Sequence, residues 1–175
     1  ALKAGPEGER ADGDLDDDED SGGHRLVDTV RAAENRLSAV NGELAYRDEE
    51  RGRDYRIAPG ALPFFMHRER GLHLDEPEFT VDGGPINAAV LGTALTLYYA
   101  GRAQVTRGQG IFFYLPKLEA GEQCAWYRHL FDRSRELLPF LKRGVISAIP
   151  LVESLPAVYQ MEEMLHALGP YAGGL

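Results

Sequence analysis

The chain has 175 residues, 43% of them hydrophobic, and a formal net charge of −9. That length supports one domain with a real core. No apolar run approaches the ~20 residues a membrane helix needs, and an acidic balance without clustered Lys and Arg argues against nucleic acid as a partner.

The acid is concentrated at the start. Residues 1–20 hold nine acids and two bases, a net −7, so residues 21–175 carry only −2. Residues 1–23 are rich in Gly and Asp and culminate in Asp16-Asp17-Asp18-Glu19-Asp20-Ser21. They read as a solvated, poorly ordered acidic segment, with Glu9 to Leu15 a poor strand. The alternative is that these acids hold a metal or its waters. An EF-hand loop is excluded, because no Gly sits at the sixth position and no Glu at the twelfth.

Residues 24–40 read as a helix, with Leu26, Val27, Val30, Ala33, Leu37 and Val40 at helical spacing. Asn41-Gly42 ends it. Residues 43–57 suggest a short hairpin turning at Gly52. Leu62 to His67 is a strand, with Pro63 near its start, where a missing N–H is tolerated. Phe79 to Val81 followed by Asp82-Gly83-Gly84 suggests a second small hairpin. Ile86 to Tyr99 is a strongly apolar helix. Gly108-Gln109-Gly110 precedes a strand instead of following one, so it is a loop and not a dinucleotide fingerprint.

Ile111 to Leu115 is the next strand and Glu122 to Leu138 an amphipathic helix stopped by Pro139. Val145 to Val152 is a strand holding Pro150, and Pro156 to Leu168 a helix. Strands alternating with helices over 62–168 predict βα units and a parallel sheet. Three apolar strands each deliver charge at the C-terminal end: Arg68-Glu69-Arg70, Lys117 with Glu119, and Glu153. In a β/α barrel functional residues sit where strands end, so these charges point to one polar site on one face. The single Cys124 allows no internal disulfide, suits a reducing compartment and fits a packing role. No signal peptide is visible and the chain begins with Ala, not Met; the expectation is a cytoplasmic protein whose true N-terminus is missing.

Residues 108–175 resemble malate synthase of the bacterial and plant type. The resemblance is carried by Gly110-Ile-Phe-Phe-Tyr-Leu-Pro-Lys-Leu-Glu119, Val152-Glu153, Tyr159-Gln-Met-Glu-Glu-Met-Leu-His166 and Ala172-Gly-Gly-Leu175. Upstream, His67-Arg-Glu-Arg-Gly-Leu-His-Leu-Asp75 is similar to that family's Arg-x-Arg-Gly-Trp-His-Leu segment, with Leu72 in place of the Trp. Asp18-Glu19-Asp20-Ser21 resembles its acidic segment after an early barrel strand. The resemblance implies an α/β fold: a partial (β/α)8 TIM barrel over 24–175, with a small β-hairpin insertion and the acidic segment 1–23 at an early strand. A whole barrel takes ~250 residues. It also implies that the family's Gly-Arg-Trp-Asp segment, with a further metal-ligand Asp, and its catalytic-base Asp lie beyond this chain.

The implied activity is an acyltransferase: Mg²⁺-dependent condensation of acetyl-CoA with glyoxylate to malate, as in the glyoxylate cycle. Mg²⁺ suits the task because it is hard, takes oxygen ligands and keeps positions open for substrate. The resemblance makes Glu153 the Mg²⁺ ligand, against the alternative of a helix-start Glu favoured by the macrodipole. It makes Arg68 the stabiliser of enolate and glyoxylate, against an ion pair with Glu69 or another acid; Arg70 takes the role if the register slips. Glu19 and Asp20 bind metal-held water or place the thioester, or else belong to a solvated acidic run. Lys117 and Glu119 stand behind the site as a supporting pair. Two further readings are a citrate-lyase-type Mg²⁺-dependent carbon–carbon lyase and a diverged, non-catalytic half-barrel. Taken alone, the chain is expected to be inactive and to self-associate.

Overall fold

The computed structural model describes residues 5–23 and 25–175. Residues 1–4 of the expected acidic segment, and His24 at the start of the expected first helix, lie outside the described residues. In chain order the elements are β1 (Gly13–Asp17), α1 (Leu26–Val40), β2 (Ala45–Asp48), β3 (Arg53–Arg56), β4 (Phe64–Arg68), β5 (Asp75–Val81) and β6 (Gly84–Asn87). There follow α2 (Ala88–Thr96), a π-helical turn (Leu97–Gly101), α3 (Arg102–Thr106), β7 (Ile111–Leu115), α4 (Gly121–Leu137), β8 (Ile146–Pro150), α5 (Leu155–Tyr159) and α6 (Met161–Leu168). No helix among the described residues is long and apolar enough to cross a membrane.

β1, β4, β7 and β8 form one parallel sheet in that spatial order. The order only increases along the chain, with no reversal. A doubly wound sheet reverses at a switch point; a singly wound arc is what part of a β/α barrel presents. The expected α/β partial barrel is therefore present. Among the described residues it carries two hairpins, β2 with β3 and β5 with β6. The second turns through Asp82 (φ 52°) and Gly83 (φ 84°), the two positive-φ positions a two-residue hairpin turn requires.

The strands alternate. Phe65, His67, Ile111, Phe113, Leu115, Ile146 and Ala148 are buried beneath the helices. Phe64, Met66, Phe112, Ser147 and Ile149 line a small cavity of about 240 Å³ on the opposite, inner face. The main core packs Ile111, Phe113 and Ile146 against Cys124, Tyr127 and Phe131 of α4 and Met164 and Leu168 of α6. Cys124 is buried, as expected of a packing residue.

Four details differ from the sequence reading. The poor strand within the expected disordered segment is a true strand: Gly13–Asp17 pairs residue for residue with Phe64–Arg68, so the sheet crosses the boundary expected at residue 23. Its acidic side chains find cationic partners, described below, and Gly13 leaves room for the Phe64 ring, which lies 2.4 Å from where a β-carbon would stand. The helix expected over 86–99 begins two residues later, where Asn87 accepts from the Ala89 N–H as its cap, and continues to Thr106 through the π-helical turn. The helix expected over 156–168 breaks at Gln160 into α5 and α6. On α1, Val27 and Val30 are exposed while Thr29, Ala33, Arg36 and Ala39 are buried. The helix is rotated to put Arg36 inside. Pro150 is the last residue of β8, and Leu151 resumes the ladder by donating to the Leu115 carbonyl at 2.8 Å. A proline at a strand end removes little pairing.

Candidate functional site

Parallel strands that share a direction deliver their C-terminal residues to one rim. Here that rim gathers the acidic run after β1, Arg68 of β4, Lys117 after β7 and Glu153 after β8. Side-chain alternation along a strand divides the acids between the two faces of the sheet.

Asp17 lies opposite Arg68 in the register. Arg68 grips it with two parallel bonds, Nε to Oδ1 at 2.9 Å and Nη2 to Oδ2 at 2.5 Å. Nη2 also donates to Asp20 Oδ2 at 2.9 Å, and Nη1 lies 3.5 Å from Glu19 Oε2. Of the expected ion pair with Glu69 or another acid, the second form is present: Arg68 pairs with Asp17 at the end of β1 and with Glu19 and Asp20 after it. Nε and Nη2 hold one edge of the guanidinium on Asp17 and Asp20, while Nη1 makes no hydrogen bond among the described residues and has only the looser ion pair with Glu19. Hydrogen bonding from Arg68 holds the Asp17 carboxyl below its usual range and raises the guanidinium further. A forked, permanently charged donor of this kind suits an oxyanion.

Asp16 and Asp18 turn the other way, to Arg36. Arg36 Nε donates to Asp16 Oδ1 at 3.0 Å and Nη2 to Asp18 Oδ2 at 2.8 Å. Nη1 lies 3.4 Å from Glu69 Oε1 and donates to Thr96, whose hydroxyl donates to the same Glu69 oxygen. Asp16 Oδ2 also meets His67 Nδ1 at 2.6 Å, and His67 Nε2 meets Gln104 Oε1 at 3.0 Å. Burial pushes the Asp16 carboxyl up, but His67 and Arg36 outweigh it and hold it below its usual range. Burial dominates at Glu69 and raises it. α2 closes over Glu69 at Gly92, where a β-carbon would stand 2.4 Å from Oε2.

On the other side of the rim, the Lys117 N–H donates to Glu153 Oε1 at 2.8 Å and its Nζ to Oε2 at 2.7 Å. Nζ is also 3.7 Å from Glu19 Oε1. Burial pushes Glu153 up, but the Lys117 hydrogen bonds hold it below its usual range. Glu19 is raised, chiefly by burial, and its Oε2 is buried with no hydrogen-bond partner among the described residues.

Of the residues singled out in the sequence, Arg68, Glu19, Asp20, Lys117 and Glu153 therefore come together. Two do not. Arg70 is buried away from the rim, donating to Glu76 Oε2 at 2.8 Å and to Thr29; it lies past the end of β4. Glu119 does not pair with Lys117. It is exposed at the start of α4, where its N–H donates to Gln123 Oε1. The residues missed are Asp16, Asp17, Asp18, Arg36, His67 and Gln104. The signal for Arg36 was its place three residues after Ala33, on the buried stripe of the helix, where a cation without partners would be too costly.

No group of three or more His, Cys, Asp or Glu among the described residues is placed to hold a metal ion. The donors at the rim are nonetheless hard carboxylate oxygens, one of them the buried Glu19 Oε2, which has no hydrogen bond among the described residues. That is the donor chemistry Mg²⁺ takes.

The description "Malate synthase, TIM barrel domain" matches residues 64–175. The chain is 39% identical over 150 residues to malate synthase of Oryza sativa subsp. japonica, covering 83% of this chain and 26% of that one. It is 38% identical over 141 residues to malate synthase A of Escherichia coli (strain K12), covering 81% and 26%. Against malate synthase of Myxococcus xanthus (strain DK1622) it is 33% identical over 159 residues, covering 91% and 29%. The chain thus spans about a quarter of the length of these relatives.

Proposed function

Because this chain belongs to the malate synthase family, we propose that the protein containing it condenses acetyl-CoA with glyoxylate and then hydrolyses the thioester with water, giving malate and CoA in the glyoxylate cycle. The observation that supports this most is the convergence of Arg68, Glu19, Lys117 and Glu153 on one rim. In this reading Glu153 holds Mg²⁺, and Glu19 and Asp20 serve its water or the thioester. When bound, Mg²⁺ supplies polarisation of the glyoxylate carbonyl.

The chain's own residues do the rest of the assigned work. Arg68, braced on Asp17 and Asp20, offers its Nη1, held only by the looser ion pair with Glu19, to the oxygen that gains charge as acetyl-CoA becomes its enolate. Donors fixed in advance at a developing oxyanion cost no reorganisation during the reaction. Arg36, held between Asp16, Asp18 and Glu69, keeps the acidic loop in place. Arg70 and Glu119 have no part in the chemistry. A cytoplasmic setting goes with this reading, supported by the single, buried Cys124; cell fractionation tests it.

The experiment follows free thiol released from acetyl-CoA by the gene product that contains the chain, at its natural length. Release is expected only when glyoxylate and Mg²⁺ are both present. Equal release in excess chelator would sink the metal-dependent mechanism. Glu153→Gln is expected to abolish Mg²⁺ binding in calorimetry with the fold intact, since the residue lies at the rim and its loss opens no core cavity. Unchanged affinity would return Glu153 to a helix-start role.

Residues 1–175 taken alone are expected to associate. The inner face presents Phe64, Met66, Phe112 and Ile149, and β1 and β8 end the sheet; open edges and apolar faces recruit partners. Size-exclusion chromatography giving a monomer at all concentrations would refute this.

A further inference from the structure

Lys117 is one of two non-glycine residues with a positive φ among the described residues, at 56°. A β-carbon makes that conformation unfavourable, and such strain persists only where the surroundings impose it. Asp82, the other, sits in a hairpin turn that demands it. Lys117 has no such turn. Its conformation instead aims the N–H and the ammonium of one residue at one carboxylate: 2.8 Å to Glu153 Oε1 and 2.7 Å to Oε2. Both Glu153 oxygens are thereby occupied.

The same ammonium lies 3.7 Å from Glu19 Oε1. It therefore stands between two carboxylates brought in from opposite ends of the sheet, one following β1 and the other following β8. Without it Glu153 would keep only the backbone N–H of residue 117, and Arg68 would be the cation left beside Glu19. Glu19 Oε2 is buried without a hydrogen bond among the described residues and lies 3.5 Å from Arg68 Nη1. The Lys117 side chain is 43% exposed, so solvent and ions reach it. An ammonium is a compact point charge on a flexible stem and is free to swing away, unlike a forked guanidinium.

Resting on the reading of Glu153 as a Mg²⁺ ligand, the geometry points to Lys117 as a built-in counter-cation. It holds the Glu19–Glu153 pair in the ion-free protein and competes with the divalent cation for the Glu153 oxygens. Lys117 is then a positioning residue that acts through Glu153. It keeps the rim assembled before the ion arrives and sets how tightly the ion is held.

The test is calorimetry with MgCl₂, plus thermal melts in chelator, on the gene product that contains the chain. Lys117→Met is compared with the unsubstituted protein, and Lys117→Gln serves as a second variant should the first fail to fold. Removing a competing cation at this distance is expected to tighten Mg²⁺ binding by about tenfold. The metal-free melting midpoint is expected to fall and to be regained on adding Mg²⁺. A Lys that merely buttressed Glu153 would give the opposite: weaker or unchanged Mg²⁺ affinity in the variant, which would overturn the inference and leave Glu153 as a ligand. An unsubstituted protein that binds no Mg²⁺ would overturn the reading of Glu153 and this inference with it.

Discussion

Arg68→Lys is expected to lower the rate of thiol release in the gene product that contains the chain by on the order of 10²–10³-fold, the usual cost of removing a fixed donor at a developing oxyanion. Lysine keeps the charge but loses the fork. The two parallel bonds to Asp17 cannot both be made by one ammonium, and the Nη1 donor disappears with them. Mg²⁺ affinity and the far-ultraviolet dichroism are expected to stay as they are, because Glu153 is held by Lys117 and not by Arg68. Arg70→Lys provides the contrast. Its partners are Glu76 and Thr29, well inside the structure, so that change is expected to lower stability and leave the turnover of the folded fraction alone. Full activity in Arg68→Lys, or a larger loss of turnover in Arg70→Lys, would move the role to the other arginine.

Arg36→Met is expected to destabilise the chain by about 3–5 kcal/mol, the cost of breaking a buried ion network by removing one partner. The Arg36 side chain is 3% exposed and serves Asp16, Asp18 and Glu69 at once. Methionine fills much of the space but leaves three carboxylates near one another without their cation. Since a domain of this kind is stable by only ~5–15 kcal/mol, much of the margin goes. Chemical denaturation with circular dichroism measures the change. A loss below about 1 kcal/mol would mean that water reaches these acids and that the network is not truly buried. Arg36→Met with Glu69→Gln together should recover part of the loss, because neighbours in one network do not add independently.

Much of the fold was legible in the residues themselves. Ile111 to Leu115 and Val145 to Val152 read as strands because buried parallel strands are apolar throughout. Glu122 to Leu138 read as a helix because one face of it must meet them. The charges at the strand ends were legible for the same reason: an apolar run that stops at Arg68 or Glu153 announces where the rim lies. The βα alternation was legible over 62–168, but the fourth strand of the sheet, β1, and the order of the strands came only from the tertiary structure.

What the sequence left open was how an unbroken run of acids is shared out. Asp16, Asp17 and Asp18 look alike in one dimension. Only pairing β1 with β4 assigns Asp17 to Arg68 and sends Asp16 and Asp18 to Arg36, since a strand throws alternate side chains to opposite faces. The same pairing makes a strand of a segment whose composition argues against one: the register against Phe64–Arg68 and the two arginines supply what the residues lack. Arg70 and Arg68 are equally good candidates on paper; Arg68 ends β4 at the rim, whereas Arg70 lies past the strand end, where the chain carries it inward to Thr29 and Glu76. The partner of Lys117 could not be read locally either, because Glu119 is two residues away and Glu153 thirty-six. The nearer acid lost because the backbone at Lys117 turns toward β8. Local sequence determined the elements and the kind of charge each one ends in; contacts between residues far apart in the chain decided which charges meet.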